Sequence, residues 1–276
     1  MGFLTSYIYW APSPVIFEIA DSGIFLTWYG CMWMLGLVVS RQVGLYIFLT
    51  DNRYTKELPN LFLLIMIPAF IGARLGHFLF YDFWALVEKP WILVVPPFEG
   101  FASHGGITGI LVGVYIWCRN NHAQYLFVLD RLAIVSCVAA GFIRVGNLFN
   151  SEIIGLPATA PWAFVFARVD GLPRHPTQLY EALFYFLLFF ALLYMWRRLS
   201  FRLKPGFMLG IMLTALWSFR FFIEVYKEDQ TFFSNIPWFN RSQILSLPFI
   251  LSGLALLYFT RKVERPSNRF LGTETD

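Results

Sequence analysis

The chain has 276 residues, of which 58% are hydrophobic and 20% aromatic, while only 14% are charged. About 25% of residues are charged in a typical soluble domain, so 21 basic and 17 acidic side chains are too few to cover a soluble surface of this size. The mean hydropathy is +0.59. This composition argues against a soluble globular protein, a disordered chain and a nucleic-acid-binding protein. The net charge of +4 is therefore interpreted first as a property of a membrane protein.

Seven apolar stretches are candidates to cross a bilayer, which takes about 20 mostly apolar residues. They predict an all-α polytopic membrane protein with seven transmembrane helices, of which the third is short. No Lys or Arg occurs in the first 23 residues, so we expect no signal peptide there. In chain order, the predicted spans are 24–48, 59–83, 105–118, 130–150, 176–196, 207–226 and 243–260.

The positions of the basic residues predict the orientation of the chain. Thirteen Lys and Arg residues lie in or beside one set of alternate loops, five lie in the other set, and three lie inside spans. Basic residues accumulate on the cytoplasmic side of membrane proteins. We therefore expect the N-terminus outside and the C-terminus in the cytoplasm.

Two loops on the predicted outer side are long. Residues 84–104 are rich in Pro and Gly and are expected to form an arm on the membrane surface. Residues 151–175 are expected to form a small head, in which the alternation over 163–171 and the Asp-Gly pair at its end predict a β-hairpin. The whole chain, 1–276, is interpreted as a single integral membrane domain that carries these two insertions.

Three arginines, Arg74, Arg144 and Arg220, lie within the predicted spans, where a charged side chain is costly. Arg144 and Arg220 are about six residues from the outer ends of their spans, which is a depth of about 9 Å. The inner halves of the spans hold almost no charge, so we expect the polar groups to converge on one pocket that opens outward. Such a pocket suits an anionic lipid headgroup, because guanidinium binds phosphate in a bidentate manner. The alternative is that each arginine pairs with a neighbour, as Arg220 could with Glu224 at i, i+4.

Three polar motifs lie near the predicted outer face. Ser103-His104-Gly105-Gly106 begins a glycine stripe with a period of four residues, which predicts close approach of another helix; His104 itself could be a helix-capping or interface residue. The segment Arg144–Glu152 places Arg144 and Asn147 on one helical face. In the segment 174–181, Tyr180 could be an ordinary interfacial aromatic, whereas Glu181 needs a partner inside the span, most naturally an arginine.

Taken in order, the motifs resemble the prolipoprotein diacylglyceryl transferase family of bacteria over nearly the whole chain. Two positions depart from the family pattern: many members carry a tyrosine where this chain has Leu216, and His77 replaces a more usual aromatic. The matching segments are Trp28-Tyr29-Gly30, Gly72-Ala73-Arg74-Leu75-Gly76, Ser103-His104-Gly105-Gly106, Arg144–Glu152 with Gly155, His175–Glu181, Arg220 with Glu224, and Gln243–Pro248.

The resemblance implies transfer of the diacylglyceryl group of phosphatidylglycerol to the lipobox cysteine thiol of prolipoprotein signal peptides, with release of glycerol phosphate. It implies an active site facing the outer side of the bacterial cytoplasmic (inner) membrane, with no cofactor and no metal. The implied catalytic residues are His104 as base and Arg144 and Arg220 at the phosphate, although the guanidinium groups could suffice without a base. Glu152 and Glu224 would orient the two arginines, Asn147 would bind the headgroup and Tyr29 would line the cavity. The implied substrate-binding residues are Tyr29, Arg74, Asn147, Asn150, Glu152, Gly155, Tyr180, Glu181 and Glu224.

Two other functions remain open from the residues alone. A carrier or flippase for an anionic phospholipid would also need an arginine-rich pocket, but it needs a polar path that reaches both sides of the membrane. A non-catalytic membrane scaffold would tolerate loss of the span arginines with modest effects on stability.

Overall fold

The computed structural model of the protein describes residues 7–19, 24–54, 56–95, 100–199, 202–228 and 240–261. The chain forms two compact units. The larger unit comprises Met1–Gln42 and Leu132–Asp276, and the smaller unit comprises Val43–Arg131.

Across the described ranges, six helices are long and apolar enough to cross a membrane. The prediction of a helical, multi-pass membrane protein is therefore confirmed. The short third predicted span corresponds to a further helix, α4 (Ser103–Asn120), which has 18 residues and is not one of the six. The six are α1 (Trp28–Thr50), α2 (Leu58–Tyr81), α5 (Tyr125–Asn150), α6 (Thr177–Leu199), α7 (Phe207–Ile223) and α8 (Arg241–Thr260).

The first helix begins four residues later than predicted. The strands β2 (Val15–Ile19) and β3 (Ile24–Thr27) form an antiparallel pair that takes up the start of the predicted span. A run of four mostly apolar residues is compatible with a strand and with a helix, so hydropathy alone could not distinguish β3 from the first turn of α1. The helix begins at Trp28 because the Thr27 hydroxyl accepts a hydrogen bond of 3.1 Å from the Gly30 amide, as an N-terminal cap does.

The predicted hairpin in the head is confirmed, although its strands are short and the second strand follows the Asp-Gly pair and lies beyond the predicted range of 163–171. Strands β4 (Phe164–Phe166) and β5 (Pro173–Arg174) pair antiparallel, and the residues between them, including Asp170, form the loop. A third strand, β1 (Ile8–Trp10), pairs parallel with β4 and gives the order β1-β4-β5. Strand β1 was not predicted, because its partner lies more than 150 positions away along the chain.

The glycine stripe of the smaller unit allows α2 and α4 to pack with their backbones in contact, as predicted. Gly105 lies against Gly72, and Gly109 lies against the backbone of Pro68. A Cβ atom at Gly109 would overlap the Pro68 carbonyl group. In a membrane, where helices gain little from the hydrophobic effect on association, such close backbone packing is a main source of attraction.

The predicted arm follows α2 as a short helix, α3 (Phe83–Glu88), and a 3-10 turn over Pro90–Leu93. Residues 96–99 of the arm lie outside the described residues. The arm ends beside α2, where the Ala102 amide donates a hydrogen bond of 3.0 Å to the Ala73 carbonyl. This contact fixes the chain just before α4 begins.

Candidate active site

In the larger unit, the chain makes a sharp turn directly after α5. Ser151 and Ile153 have positive φ angles of 54° and 57°, which is unfavourable for a β-branched residue. The turn is held by two fully buried side chains at the start of α6. Thr177 donates a hydrogen bond of 2.8 Å to the Ile153 carbonyl, and Gln178 donates one of 2.6 Å to the Glu152 carbonyl. The polar motif at the start of α6 therefore supports the turn that presents Glu152.

The side chain of Glu152 is linked to Arg144 through an asparagine. Its Oε1 atom accepts hydrogen bonds from Asn147 Nδ2 at 2.7 Å and from Asn150 Nδ2 at 3.2 Å. Asn147 Oδ1 in turn accepts a bond of 3.3 Å from Arg144 Nη1. Glu152 is thus linked to the Arg144 guanidinium through Asn147.

The direct carboxylate partner of Arg144 is Glu181. Arg144 Nε lies 3.2 Å from Glu181 Oε2, and the two side chains are 11% and 0% exposed. The prediction that Glu181 pairs with an arginine is confirmed. Tyr185, buried one turn further along α6, donates a hydrogen bond of 3.1 Å to the other oxygen of Glu181.

Lys227 is a central residue of the cluster that sequence reasoning missed. Its ammonium nitrogen lies 3.2 Å from Glu181 Oε2 and 3.1 Å from Glu224 Oε2, and its side chain is 6% exposed. By sequence, Lys227 is one of the five basic residues in the loops predicted to lie outside. Its i, i+3 spacing from Glu224 was a usable signal.

The alternative in which Arg220 pairs with Glu224 is wrong, because Glu224 pairs with Lys227. Within the described part of the chain, Arg220 makes no ion pair within 4.0 Å. Its guanidinium carbon lies 5.2 Å from the centre of the Trp217 ring, a cation–π distance. It is also close enough to Glu181 to interact with it electrostatically.

Trp217 stands beside the position at which the sequence departs from the family pattern. Its ring stacks on Phe249 with a centroid separation of 4.1 Å and an interplanar angle of 9°. The stack fixes the ring against which Arg220 lies. Leu216 has no hydroxyl group to offer here, and an aromatic face on the next residue contacts the arginine instead.

Together these residues form a partly buried cluster of opposite charges. Arg144, Arg220 and Lys227 lie with the carboxylates of Glu181 and Glu224, and Glu152 adds a third carboxylate through Asn147. Of the three cations, Arg220 makes no ion pair with a described residue, and a buried charge must be compensated, so its guanidinium favours an added anion. A phosphate is well suited to guanidinium donors.

Two further predicted binding residues lie around this cluster. The ring of Tyr29 covers Gly146, where a Cβ atom would come within 2.9 Å of Tyr29 Cδ2. Tyr29 is close enough to Arg144 and Glu152 to interact electrostatically with each. The Tyr180 hydroxyl accepts a hydrogen bond of 2.8 Å from Trp162 Nε1.

Gly155 has a structural reason to be a glycine. Its amide donates a hydrogen bond of 3.0 Å to the His175 carbonyl. A Cβ atom here would lie 2.5 Å from that carbonyl oxygen and 2.9 Å from the Tyr226 carbonyl oxygen. The close approach of three backbone segments therefore accounts for this glycine.

Arg174 ties the head together beside Gly155. Arg174 Nη2 lies 2.6 Å from Asp170 Oδ2, and Arg174 Nη1 donates a hydrogen bond of 3.0 Å to the Gly155 carbonyl. Arg174 also lies 3.3 Å from the Glu228 carboxylate. The hydrogen bonds from Arg174 hold the pKa of Asp170 below its ordinary value.

Two of the predicted site residues, Arg74 and His104, belong to the smaller unit. Arg74 is 2% exposed and donates hydrogen bonds to the Gly100 carbonyl, at 3.1 Å, and to the Ile92 carbonyl. Both acceptors belong to the arm, so the structure gives Arg74 a part in holding the arm. His104 lies at the exposed start of α4, and its ring contacts Phe80 edge-on at 4.9 Å.

Over the described ranges, no group of three or more His, Cys, Asp and Glu side chains is placed to hold a metal ion. The convergence of Arg144, Asn147, Glu152, Glu181 and Glu224 in one unit was predicted, and the structure brings these residues together. The placement of His104 and Arg74 in the same pocket stays a prediction.

The fold and the cluster define a multi-pass helical membrane protein with a cationic site near the ends of α5, α6 and α7. The sequence model of the prolipoprotein diacylglyceryl transferase family matches residues 14–259. The chain belongs to this family, and the assignment to a family of transferases is confirmed.

Several curated relatives cover almost the full chain, and each is named phosphatidylglycerol–prolipoprotein diacylglyceryl transferase. The relative from Bacteroides fragilis is 38% identical over 274 residues, which covers 95% of this chain and 98% of the relative. The relative from Chloroherpeton thalassium is 38% identical over 255 residues, with 92% and 94% covered. The relative from Tolumonas auensis is 35% identical over 256 residues, with 92% and 98% covered.

Proposed function

We propose that this protein transfers the diacylglyceryl group of phosphatidylglycerol to the thiol of the lipobox cysteine in prolipoprotein signal peptides. The reaction forms a C–S bond at the glyceryl carbon that carries the phosphate. The C–O bond to that phosphate breaks, glycerol phosphate leaves and a thioether remains. Family membership supports this assignment, and the observation that carries it is the guanidinium of Arg220, which lies beside Arg144 and Lys227 without an ion pair to a described residue.

Arg144 and Arg220 bind the phosphate in this proposal. Negative charge grows on the phosphate as the C–O bond breaks, and donors fixed in advance stabilise that charge without reorganising during the reaction. The relay from Glu152 through Asn147 and the ion pair with Glu181 hold Arg144 in place. Trp217 orients Arg220.

Other predicted binding residues complete the site. Tyr29 lines it beside Arg144, Asn150 supports Glu152, and Glu224 balances the charge of Lys227. Gly155 allows the close backbone contacts with His175 and Tyr226, and the Tyr180 hydroxyl is held by Trp162.

His104 is the proposed base, on the strength of the family resemblance. A free thiol has a pKa near 8.5, so a base raises the fraction of thiolate, and general-base help is typically worth about 10²–10⁴-fold in rate. Arg74 contributes by fixing the arm that leads into α4.

The proposed location is the bacterial cytoplasmic membrane, with the site facing the outer side. In this arrangement α4 is the seventh span, the N-terminus lies outside and the C-terminus is cytoplasmic. Exposed tryptophans of the arm, Trp84 and Trp91, support contact with the membrane surface, since tryptophan is enriched at bilayer interfaces.

The assignment is tested by incubating the purified protein with phosphatidylglycerol and a lipobox peptide. We expect the peptide to gain the mass of one diacylglyceryl group, and Arg144→Gln to lower the rate at least about 100-fold. Absence of the mass gain, in an assay in which a known transferase works, would rule the assignment out. Movement of labelled phosphatidylglycerol between leaflets without chemical change would support a carrier instead.

The role of His104 is tested in the same assay with His104→Gln. We expect transfer to fall at least about 100-fold while binding of phosphatidylglycerol is retained, because the base acts on the thiol and not on the lipid. Near-normal transfer would remove His104 from the mechanism and leave thiol activation to the guanidinium groups.

A further inference from the structure

We propose that Lys227 is a positioning residue of the transferase site, which holds Glu181 and Glu224 so that Arg144 and Arg220 keep donors available for the lipid phosphate. This inference rests on the proposed function. Lys227 lies outside the motifs that carry the family resemblance, and its contact with Glu181 on α6 comes from the tertiary structure.

The backbone on both sides of Lys227 is fixed. The residue follows the 3-10 turn Glu224–Tyr226 and forms a β-bridge with Gly155. The Leu156 amide donates to the Tyr226 carbonyl at 2.8 Å, and the Glu228 amide donates to the Ile154 carbonyl at 3.3 Å. Lys227 as a whole is 9% exposed, so it is a buried residue held by the head and not a flexible surface lysine.

The ammonium group bridges two carboxylates that would otherwise face the arginines alone. Lys227 Nζ lies 3.2 Å from Glu181 and 3.1 Å from Glu224, whereas Arg144 reaches only Glu181. Glu181 has no exposed side-chain surface. A fully buried carboxylate cannot be compensated by water, so any lost partner must be replaced from within the protein.

Loss of the lysine charge therefore changes what the arginines do. Glu224 would be left without its cation, and Arg220, one helical turn before it, is the nearest replacement at i, i+4. Arg144 and Arg220 would then each be paired with a carboxylate, Glu181 and Glu224 respectively. Guanidinium N–H groups that are bound to carboxylates cannot also stabilise the negative charge that develops on the phosphate. The variant should therefore be slower in the chemical step.

This role differs from that of an ordinary structural ion pair. A structural pair lowers stability when broken, and the protein that still folds works normally. The positioning role predicts that folded variant protein is slow, and that removal of the orphaned Glu224 charge restores part of the rate.

The experiment compares Lys227→Met, Lys227→Arg and the charge-balanced Lys227→Met/Glu224→Gln, with Lys56→Met as the same substitution at an exposed lysine. For each variant, kcat and KM for phosphatidylglycerol are measured in the transfer assay, and thermal unfolding is followed in detergent. We expect Lys227→Met to lower kcat at least about tenfold with a much smaller change in KM, which is the pattern of a lost transition-state interaction. We expect the kcat of Lys227→Arg to stay within about threefold of the wild-type value and the kcat of Lys56→Met to equal it. The kcat of the double variant should be at least about threefold higher than that of Lys227→Met.

A normal kcat for Lys227→Met would overturn the inference, and so would a folded double variant that is no faster than Lys227→Met. If Lys227→Met does not fold, the test is made on Lys227→Arg, and a folded Lys227→Arg variant whose kcat falls by more than about threefold contradicts the inference. A wild-type protein that transfers nothing is a different failure, because it removes the proposed function itself.

Discussion

Arg144 shows how a single charged side chain is made tolerable near the end of a membrane helix. Its Nε atom is committed to the fully buried Glu181 and its Nη1 atom to Asn147. Because Asn147 is bound in turn to Glu152, the same arginine connects the ion cluster to the strained turn that follows α5. Intramembrane charges usually mark a functional site, and here the partners are all polar groups near the end of the span.

In the head, the ion pair between Asp170 and Arg174 should make the stability of the folded protein depend on pH. The folded-state pKa of Asp170 is lowered, chiefly by hydrogen bonds from Arg174, so its carboxylate stabilises the fold at any pH above the unfolded-state pKa of about 3.9. That stabilisation is lost as the pH falls through the lower, folded-state pKa. We expect Asp170→Asn to melt at a lower temperature than wild type at pH 7, and the difference to shrink below about pH 4.

The measurement is thermal unfolding of both proteins in detergent from pH 7 to pH 3. Asp82→Asn is the matched control, because Asp82 is exposed and its side chain makes no capping hydrogen bond. A melting difference for Asp170→Asn that is the same at pH 3 as at pH 7 would contradict the charge-based explanation.

Among the elements, α2 and α4 depend most visibly on residue size. Gly109 lies against the Pro68 carbonyl, where a Cβ atom cannot fit without moving a helix. We expect Gly109→Ala to destabilise the protein by about 1–3 kcal/mol, the usual cost of overpacking. The measurement is thermal or denaturant unfolding in detergent.

Gly106 provides the matched control for this substitution in the same helix. A Cβ atom there would lie 3.5 Å from Ala73 Cβ, an ordinary contact. Gly106→Ala should therefore be neutral or slightly stabilising, since alanine favours helix by up to about 1 kcal/mol over glycine. Equal destabilisation by both substitutions would mean that the stripe is not set by close packing.

The ends of the elements show where sequence reasoning stops. The apolar residues Ile24–Thr27 have the hydropathy of a membrane helix, but they pair as a strand with Val15–Ile19. The close helix packing at the glycine stripe could be predicted, because the period of four residues is a local property of one helix. Strand pairing is a property of two segments, and a single run of apolar residues does not specify its partner.

For the whole molecule, the distribution of basic residues predicts the orientation in the membrane. In a background without Cys31, Cys118 and Cys137, we expect a cysteine introduced as Thr159→Cys to react with an impermeant maleimide in intact cells. One introduced as Gln124→Cys should react only after permeabilisation, because its loop is predicted to be cytoplasmic. Both positions are exposed, so the difference reports sidedness.

The opposite labelling pattern would reverse the orientation. Labelling of both cysteines in intact cells would contradict the span count, since an even number of crossings would then separate the two loops. Transfer to a secreted thiol requires the first pattern, because the head and the cluster beside it must face the outside.

The class of protein, the approximate positions of the apolar helices and the residues that mark the family could all be predicted from the sequence. These are local or compositional properties: hydropathy over about 20 residues, a period of four, and short polar motifs. Which cation pairs with which carboxylate depended on the fold. Local spacing allowed Glu224 to pair with Arg220 or with Lys227, and in the structure it pairs with Lys227, which also reaches Glu181 on a different helix. A buried charge pairs with a partner that the packing of the helices and the head brings within about 4 Å, and the distance between two separate helices is not specified by either segment alone.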